Sequence, residues 1–223
     1  MIKAPHHPSK KEFQVERIVL FSDAVFAIAM TLLIVDLKVP DIKGTGISER
    51  HFLESMLTLL PGFFGFLCSF FLIGLYWFIH HAMFGYVIHY NGRLIWLNMG
   101  FLCSIVLMPF STAIYSSYST PDTIFLIAPY AAYVANICLT GILNFFMWRM
   151  IGNPKNQLAE GFPPGNYLRD AKIRSLLLPA VFIVSLLACM AFNPIIGRFF
   201  LFLTPLIMSM VRDKKTTQPS PNK

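Results

Sequence analysis

Long apolar runs succeed one another along this chain with only short polar breaks, and no other feature narrows the choice of fold so far. Six runs can be read, at residues 17–39, 53–87, 94–115, 123–148, 173–192 and 195–211. A helix crosses the ~30 Å hydrocarbon core of a bilayer with about 20 apolar residues. Of the 223 residues, 56% are hydrophobic and 13% charged, whereas a soluble domain carries about 25% charge. A water-soluble fold has no way to hide that much apolar surface. The expected fold is therefore all-α and integral to a membrane, with six transmembrane helices.

The breaks give the expected organisation. Residues 1–16 form a polar arm with His6, His7, Lys10 and Lys11, expected to be mobile or to lie on the membrane surface. Residues 17–211 form the membrane domain, and residues 212–223 form a basic tail expected to be disordered. The first run stops at Pro40, and the loop that follows carries Gly44 and Gly46. In the second run, Pro61-Gly62 either kinks the helix or marks its true beginning; Pro109 lies near the far end of the third. The longest internal loop, residues 152–170, holds Pro154, Pro163 and Pro164. Only Asn193-Pro194 separates the last two runs, as a tight helical hairpin requires. Ala27-Ile28-Ala29 mimics a signal-peptide cleavage site, but it lies mid-run, so the first run is read as a retained helix.

Basic residues set the expected orientation. With the N-terminus inside, Lys3, Lys10, Lys11, Arg17, Arg93, Arg149, Lys155, Arg169, Lys172, Arg174, Arg212, Lys214, Lys215 and Lys223 fall on the inner side. The outer side holds Lys38, Lys43, Arg50 and Arg198. By the positive-inside rule both termini are cytoplasmic. The net charge of +7 thus reflects topology, not nucleic-acid binding, which needs a basic patch interleaved with aromatics. Cys68, Cys103, Cys138 and Cys189 each lie in an apolar run, away from any CxxC pair or Cys/His cluster. They read as reduced thiols packed among helices; neither a metal site nor a cofactor is expected.

One stretch departs from the apolar pattern: Arg17-Ile-Val-Leu-Phe21-Ser22-Asp23, at the start of the first run. A carboxylate at the centre of a membrane helix costs about 2.5–3.5 kcal/mol, less towards the end where Asp23 lies, and such a residue faces the bundle and finds a partner. Arg17 is six residues earlier, off the spacing of three or four that places two side chains on one helix face. Candidate partners are Trp77, His80, His81 and Asn98. Asp23 fits a polar clamp between helices, and it also fits an ion pathway. Beyond it the helix is apolar as far as Asp36, Thr31 apart, with Ile28, Leu32 and Val35 along one stripe. Spacing alone reads that stripe as lipid contact or ordinary packing. Adjacent His80 and His81 point in different directions and make poor joint ligands. Asn98, Asn136 and Asn144 are of the type that bridges membrane helices. HExxH, GxSxG, P-loop and paired-carboxylate signatures are missing, so an enzyme is not expected. The TVGYG filter of carbonyl-lined potassium channels is missing too.

The run Arg17-xxx-Phe21-Ser22-Asp23 resembles the RxxxFSD signature of the transmembrane protein 175 family of potassium channels. The resemblance continues in Tyr76-Trp77-Phe-Ile-His80-His81 with Phe84, in Leu97-Asn98, and in Pro109-Phe110-Ser-Thr112, so it covers about the first half of the chain. It implies a homotetramer of six-helix subunits, with the first helix of each lining a central pore. Eukaryotic relatives carry two repeats and dimerise; one FSD run points here to the single-repeat, prokaryotic type and a bacterial inner membrane. The family's constriction, a large aliphatic residue five positions after the motif aspartate, falls on Ile28. Leu32 and Val35 would form further apolar rings, and Thr31 matches a common threonine. The resemblance also implies that Arg17, Phe21, Ser22 and Asp23 knit the pore helix to its neighbours, with Trp77 and one of His80 or His81. Asn98 completes the candidate clamp.

The expected function is then passive, potassium-selective cation conduction through a constriction of aliphatic side chains. The implied partners are potassium ions, the lipid bilayer and three further copies of the chain. Proton permeation through the same pore is the alternative, as reported for eukaryotic relatives, with Asp23 and the histidines as relay groups. A coupled transporter or a non-conducting membrane scaffold is the reading from another class. Against a transporter, no inverted repeat and no matched pair of broken helices is visible.

Overall fold

The computed structural model describes residues 10–37, 39, 48–120 and 122–194, with side chains from Gln14 onward. Its regular elements among the described residues are helices joined by loops, with one isolated bridge between Val87 and Ala159. Six α-helices follow in order: α1 Lys10–Val35, α2 Glu49–Leu57, α3 Leu60–Phe84, α4 Gly92–Ser117, α5 Ile127–Ile151 and α6 Tyr167–Ala191. Five of them, α2 being the exception, are long and apolar enough to cross a membrane. At 1.5 Å per residue, 25 residues span about 37 Å, so these helices cross with tilt or project beyond the hydrocarbon. The sixth run, at residues 195–211, and the tail at 212–223 lie outside the described residues, as does most of the N-terminal arm.

The boundaries differ from expectation in instructive ways. Helix α1 begins at Lys10, seven residues before Arg17, and ends at Val35 instead of running to Val39. Lys, Glu and Gln are good helix formers, so the span continues into the polar segment that precedes it. The second run is two helices. Ser48 caps α2, its Oγ accepting from the His51 amide at 3.2 Å, and the helix stops at Thr58. Pro61 occupies the first turn of α3, where its missing N–H costs nothing, so Pro61-Gly62 marks a beginning and not a kink. Pro109 lies inside α4 without ending it. The Ser111 and Thr112 hydroxyls both donate to the Met108 carbonyl there, at 3.0 and 2.7 Å, a local adjustment of the kind that lets membrane helices tolerate proline. Helix α5 starts at Ile127, after a turn at residues 122–125, and α6 starts at Tyr167, six residues before the expected 173.

Helix α4 packs against α1, α3 and α5, and α6 packs on α5. Tyr115, Tyr130, Tyr133 and Phe182 stack between α4, α5 and α6, and Ser69 bonds both Thr112 and Tyr133 at 2.7 and 2.9 Å. Helices α5 and α6 approach closely at Gly141. A Cβ built there would lie 2.2 Å from Pro179 Cγ and 2.9 Å from the Ser175 carbonyl. Small residues permit such contacts between membrane helices, and overpacking costs about 1–3 kcal/mol. Gly141→Ala is accordingly expected to lower the thermal unfolding temperature in detergent. An unchanged midpoint would show that the α5–α6 seam has slack.

One end of the bundle carries the basic residues. Gln14 and Tyr90 are hydrogen-bonded there, and Arg17, Arg93, Arg149, Lys155, Arg169, Lys172 and Arg174 gather at that end. The opposite end, where Gly62 faces Leu37 and Ser116, holds Asp36, Glu49, Arg50, Glu54 and Asp122.

Candidate functional site

Helix α1 has two unlike faces. At 3.6 residues per turn, Val15, Ser22, Phe26, Ala29 and Leu33 fall on one side, and all are buried against the rest of the bundle. The other side presents Arg17, Leu20, Ala24, Ile28, Thr31 and Val35, all exposed in the isolated subunit.

The buried face holds a polar chain. His80 Nε2 and Asn98 Oδ1 are 2.9 Å apart, Asn98 Nδ2 donates to Ser22 Oγ at 3.1 Å, and Ser22 Oγ donates to the Ile18 carbonyl at 2.8 Å. With the Asn98 amide so oriented, His80 Nε2 must carry the proton it donates. Three helices are joined by these bonds: α3 through His80, α4 through Asn98 and α1 through Ser22. His80 is fully buried in a cage of rings, stacked on Phe84 and Phe101 with centroids 4.3 and 5.8 Å away, and near Phe26 at 5.6 Å. Among the described residues its Nδ1 has no hydrogen-bond partner. Beside this chain Trp77 Nε1 donates to Asp23 Oδ1 at 2.9 Å, a second α3–α1 tie nearer the subunit surface.

The candidate clamp therefore divides. Ser22, Asp23, Trp77, His80 and Asn98 come together. His81 does not join them; it is exposed and stacks on Trp77 at 5.7 Å. Arg17 and Phe21 are exposed, and they line a cleft between α1 and α4 at whose base Asn98 lies. The spacing argument missed Phe26 and Phe101. A histidine four residues before a phenylalanine was the available hint of an aromatic cage.

On the outer face Ile28 is 58% exposed, Leu32 43% and Val35 70%. Leu32 sits on the flank of the stripe, closer to the packed side. Thr31 donates its hydroxyl to the Ile28 carbonyl at 2.8 Å. Its lone pairs remain open, but the proton is held along the helix. The face is aliphatic with one oxygen per turn at most, so it offers a hydrated cation almost nothing to replace its water.

Residues 17–109 match the family described as the endosomal/lysosomal potassium channel TMEM175. That segment contains every clamp residue and the whole aliphatic stripe. A potassium channel of Streptomyces collinus is 39% identical over 106 residues, which are 48% of this chain and 50% of that protein. One from Chamaesiphon minutus is 34% identical over 137 residues, 61% of each. The human endosomal/lysosomal proton channel TMEM175 is 39% identical over 89 residues, 37% of this chain and 16% of that protein. The aligned part thus spans about half the length of the bacterial relatives. The crystal structure of a lysosomal potassium-selective channel TMEM175 homolog from Chamaesiphon minutus superposes with a TM-score of 0.72. It covers 89% of this chain and 97% of that one at 22% identity, which shows a shared fold.

Proposed function

We propose, from the premise that residues 17–109 are a TMEM175-family segment, that this protein is a passive potassium-selective channel of the bacterial inner membrane. Four copies would surround a central pore lined by α1, with both termini cytoplasmic. The observation that carries the reading is the division of α1 into a packed face and an uncovered aliphatic face. A helix held on one side by a buried polar chain, and bare on the other, is suited to line a pore at a shared axis. Ile28 would form the narrowest ring, with Leu32 and Val35 above it and Thr31 beside it. Sodium holds its hydration water more tightly than potassium, so a narrow ring without oxygen ligands penalises sodium more. The basic end of the bundle supports the cytoplasmic placement of the termini.

Purified protein in potassium-loaded liposomes should then release potassium down its gradient without a co-ion, several times faster than sodium under matched conditions. Flux that requires a second ion gradient would point to a coupled transporter, and equal potassium and sodium rates would remove the selectivity reading. A second reading, proton permeation, is favoured by the name of the human relative and by His80, whose Nδ1 has no hydrogen-bond partner among the described residues and whose helix also carries the Trp77 bond to Asp23. A pH-sensitive dye in the same liposomes separates the two.

A further inference from the structure

The setting of His80 accepts one proton and not two. Nε2 donates to Asn98, and among the described residues Nδ1 meets no partner. The residue is 0% exposed, with the rings of Phe26, Phe84 and Phe101 around it. A proton added at Nδ1 would create an imidazolium whose second N–H finds no acceptor.

The groups nearby do not rescue that charged state. Asp23 on α1 and His81 on α3 are the titratable side chains that act on His80, and its α4 neighbours, Asn98 and Phe101, are neutral. Asp23 takes the Trp77 indole proton at 2.9 Å, and among the described residues no ion pair joins it to His80. His81, when charged, repels a second cation. Stacking on phenylalanine faces favours a cation by about 30-fold at most, whereas burying an ion without a partner disfavours it by about 1,000-fold or more. Burial wins, and the seated ring stays neutral.

Separation of α1 from α3 and α4 reverses this. Water then reaches the ring, which titrates as an ordinary histidine with a pKa of ~6.5. Only the separated form takes up the proton, so acid favours separation. The path for that proton is short: His80 lies four residues before the end of α3, roughly 6 Å along the helix, on the basic side of the bundle.

We propose that His80 is an acid-sensitive latch, and that a proton taken up from the basic side of the bundle releases α1 from α3 and α4. The latch belongs to the packing of one subunit and does not depend on conduction. With the seated ring neutral, the equilibrium constant for separation should rise about 25-fold from pH 7 to pH 5. Hydrogen exchange of the α1 amides in detergent, corrected for the intrinsic pH dependence of exchange, reads that constant. His80→Gln keeps a donor for Asn98 without a titratable group, and His80→Phe removes both. In each variant the rise should stay below about threefold, since Asp23, His81 and every other titratable group are retained. Thermal midpoints give a second measure: between the same pH values, wild type should lose about 4–8 °C more than either variant. A rise matched by both variants, or one confined to α5 and α6, overturns the latch. So does stronger protection of α1 at pH 5, which would mean that the stacked rings hold the cation.

Discussion

Ile28→Asn is expected to lower the potassium-over-sodium permeability ratio about tenfold or more, with the stability of the subunit within about 0.5 kcal/mol of wild type. Ile28 is 58% exposed in the subunit and makes no core contact whose loss would unfold it. Its expected effect lies wholly in the proposed ring. An asparagine amide there would offer an oxygen to a partly dehydrated sodium ion and would wet the constriction. In a tetramer the change is made four times, so a difference of only ~0.35 kcal/mol per subunit sums to the ~1.4 kcal/mol of a tenfold ratio. Ile28→Leu keeps the bulk and should behave nearly as wild type, whereas Ile28→Ala should widen the ring and raise sodium flux. Reversal potentials in bilayers with potassium on one side and sodium on the other give the ratio directly. If Asn, Ala and Leu at this position all leave the ratio unchanged, the filter lies elsewhere.

Hydropathy located five of the membrane helices because their length is set by the bilayer. It missed how far their ends extend: α1 begins at Lys10 and α6 at Tyr167, in segments too charged to register as apolar. The aspartate clamp was legible as a set of residues, since a carboxylate in an apolar run demands partners and Trp77 was among those named. Its internal geometry was harder to read. On α3, Ser69, Ile73, Tyr76, His80 and Phe84 recur at spacings of three and four and are all buried, which puts His80 inside and His81 out. That pattern is present in the sequence but carries no contrast, because the opposite face of α3 is just as apolar. Lipid is as apolar as a helix interface, so the phase that amphipathicity reveals in a soluble helix is silent here. The same silence left the stripe at Ile28 indistinguishable from a packed or lipid-facing surface. Only the burial of Ser22, Phe26, Ala29 and Leu33 on the other side of α1 separates the two faces.

The two faces of α1 make separable demands, and Asn98→Leu tests the buried one. The amide of Asn98 is the middle link between His80 and Ser22, and it is 2% exposed. Leucine has nearly the same size but no polar atoms, so the substitution leaves the His80 Nε2 proton without an acceptor and removes a donor from Ser22. A buried donor without a partner costs about 1–3 kcal/mol. Hydrogen bonds between membrane helices average about 0.6 and reach about 1.7 kcal/mol. Two such bonds together suggest a loss of about 1–3 kcal/mol, or a fall of about 3–10 °C in the unfolding midpoint for a domain of this size. His80→Phe on the Asn98→Leu background removes the stranded donor as well, and removing both partners of a buried bond can be nearly neutral. The double variant should therefore be less destabilised than the sum of the two single ones. Thermal unfolding in detergent across the four proteins measures that coupling. Strict additivity, or an Asn98→Leu protein as stable as wild type, would mean that the polar chain contributes nothing to holding α1, and that its aliphatic face is set by packing alone.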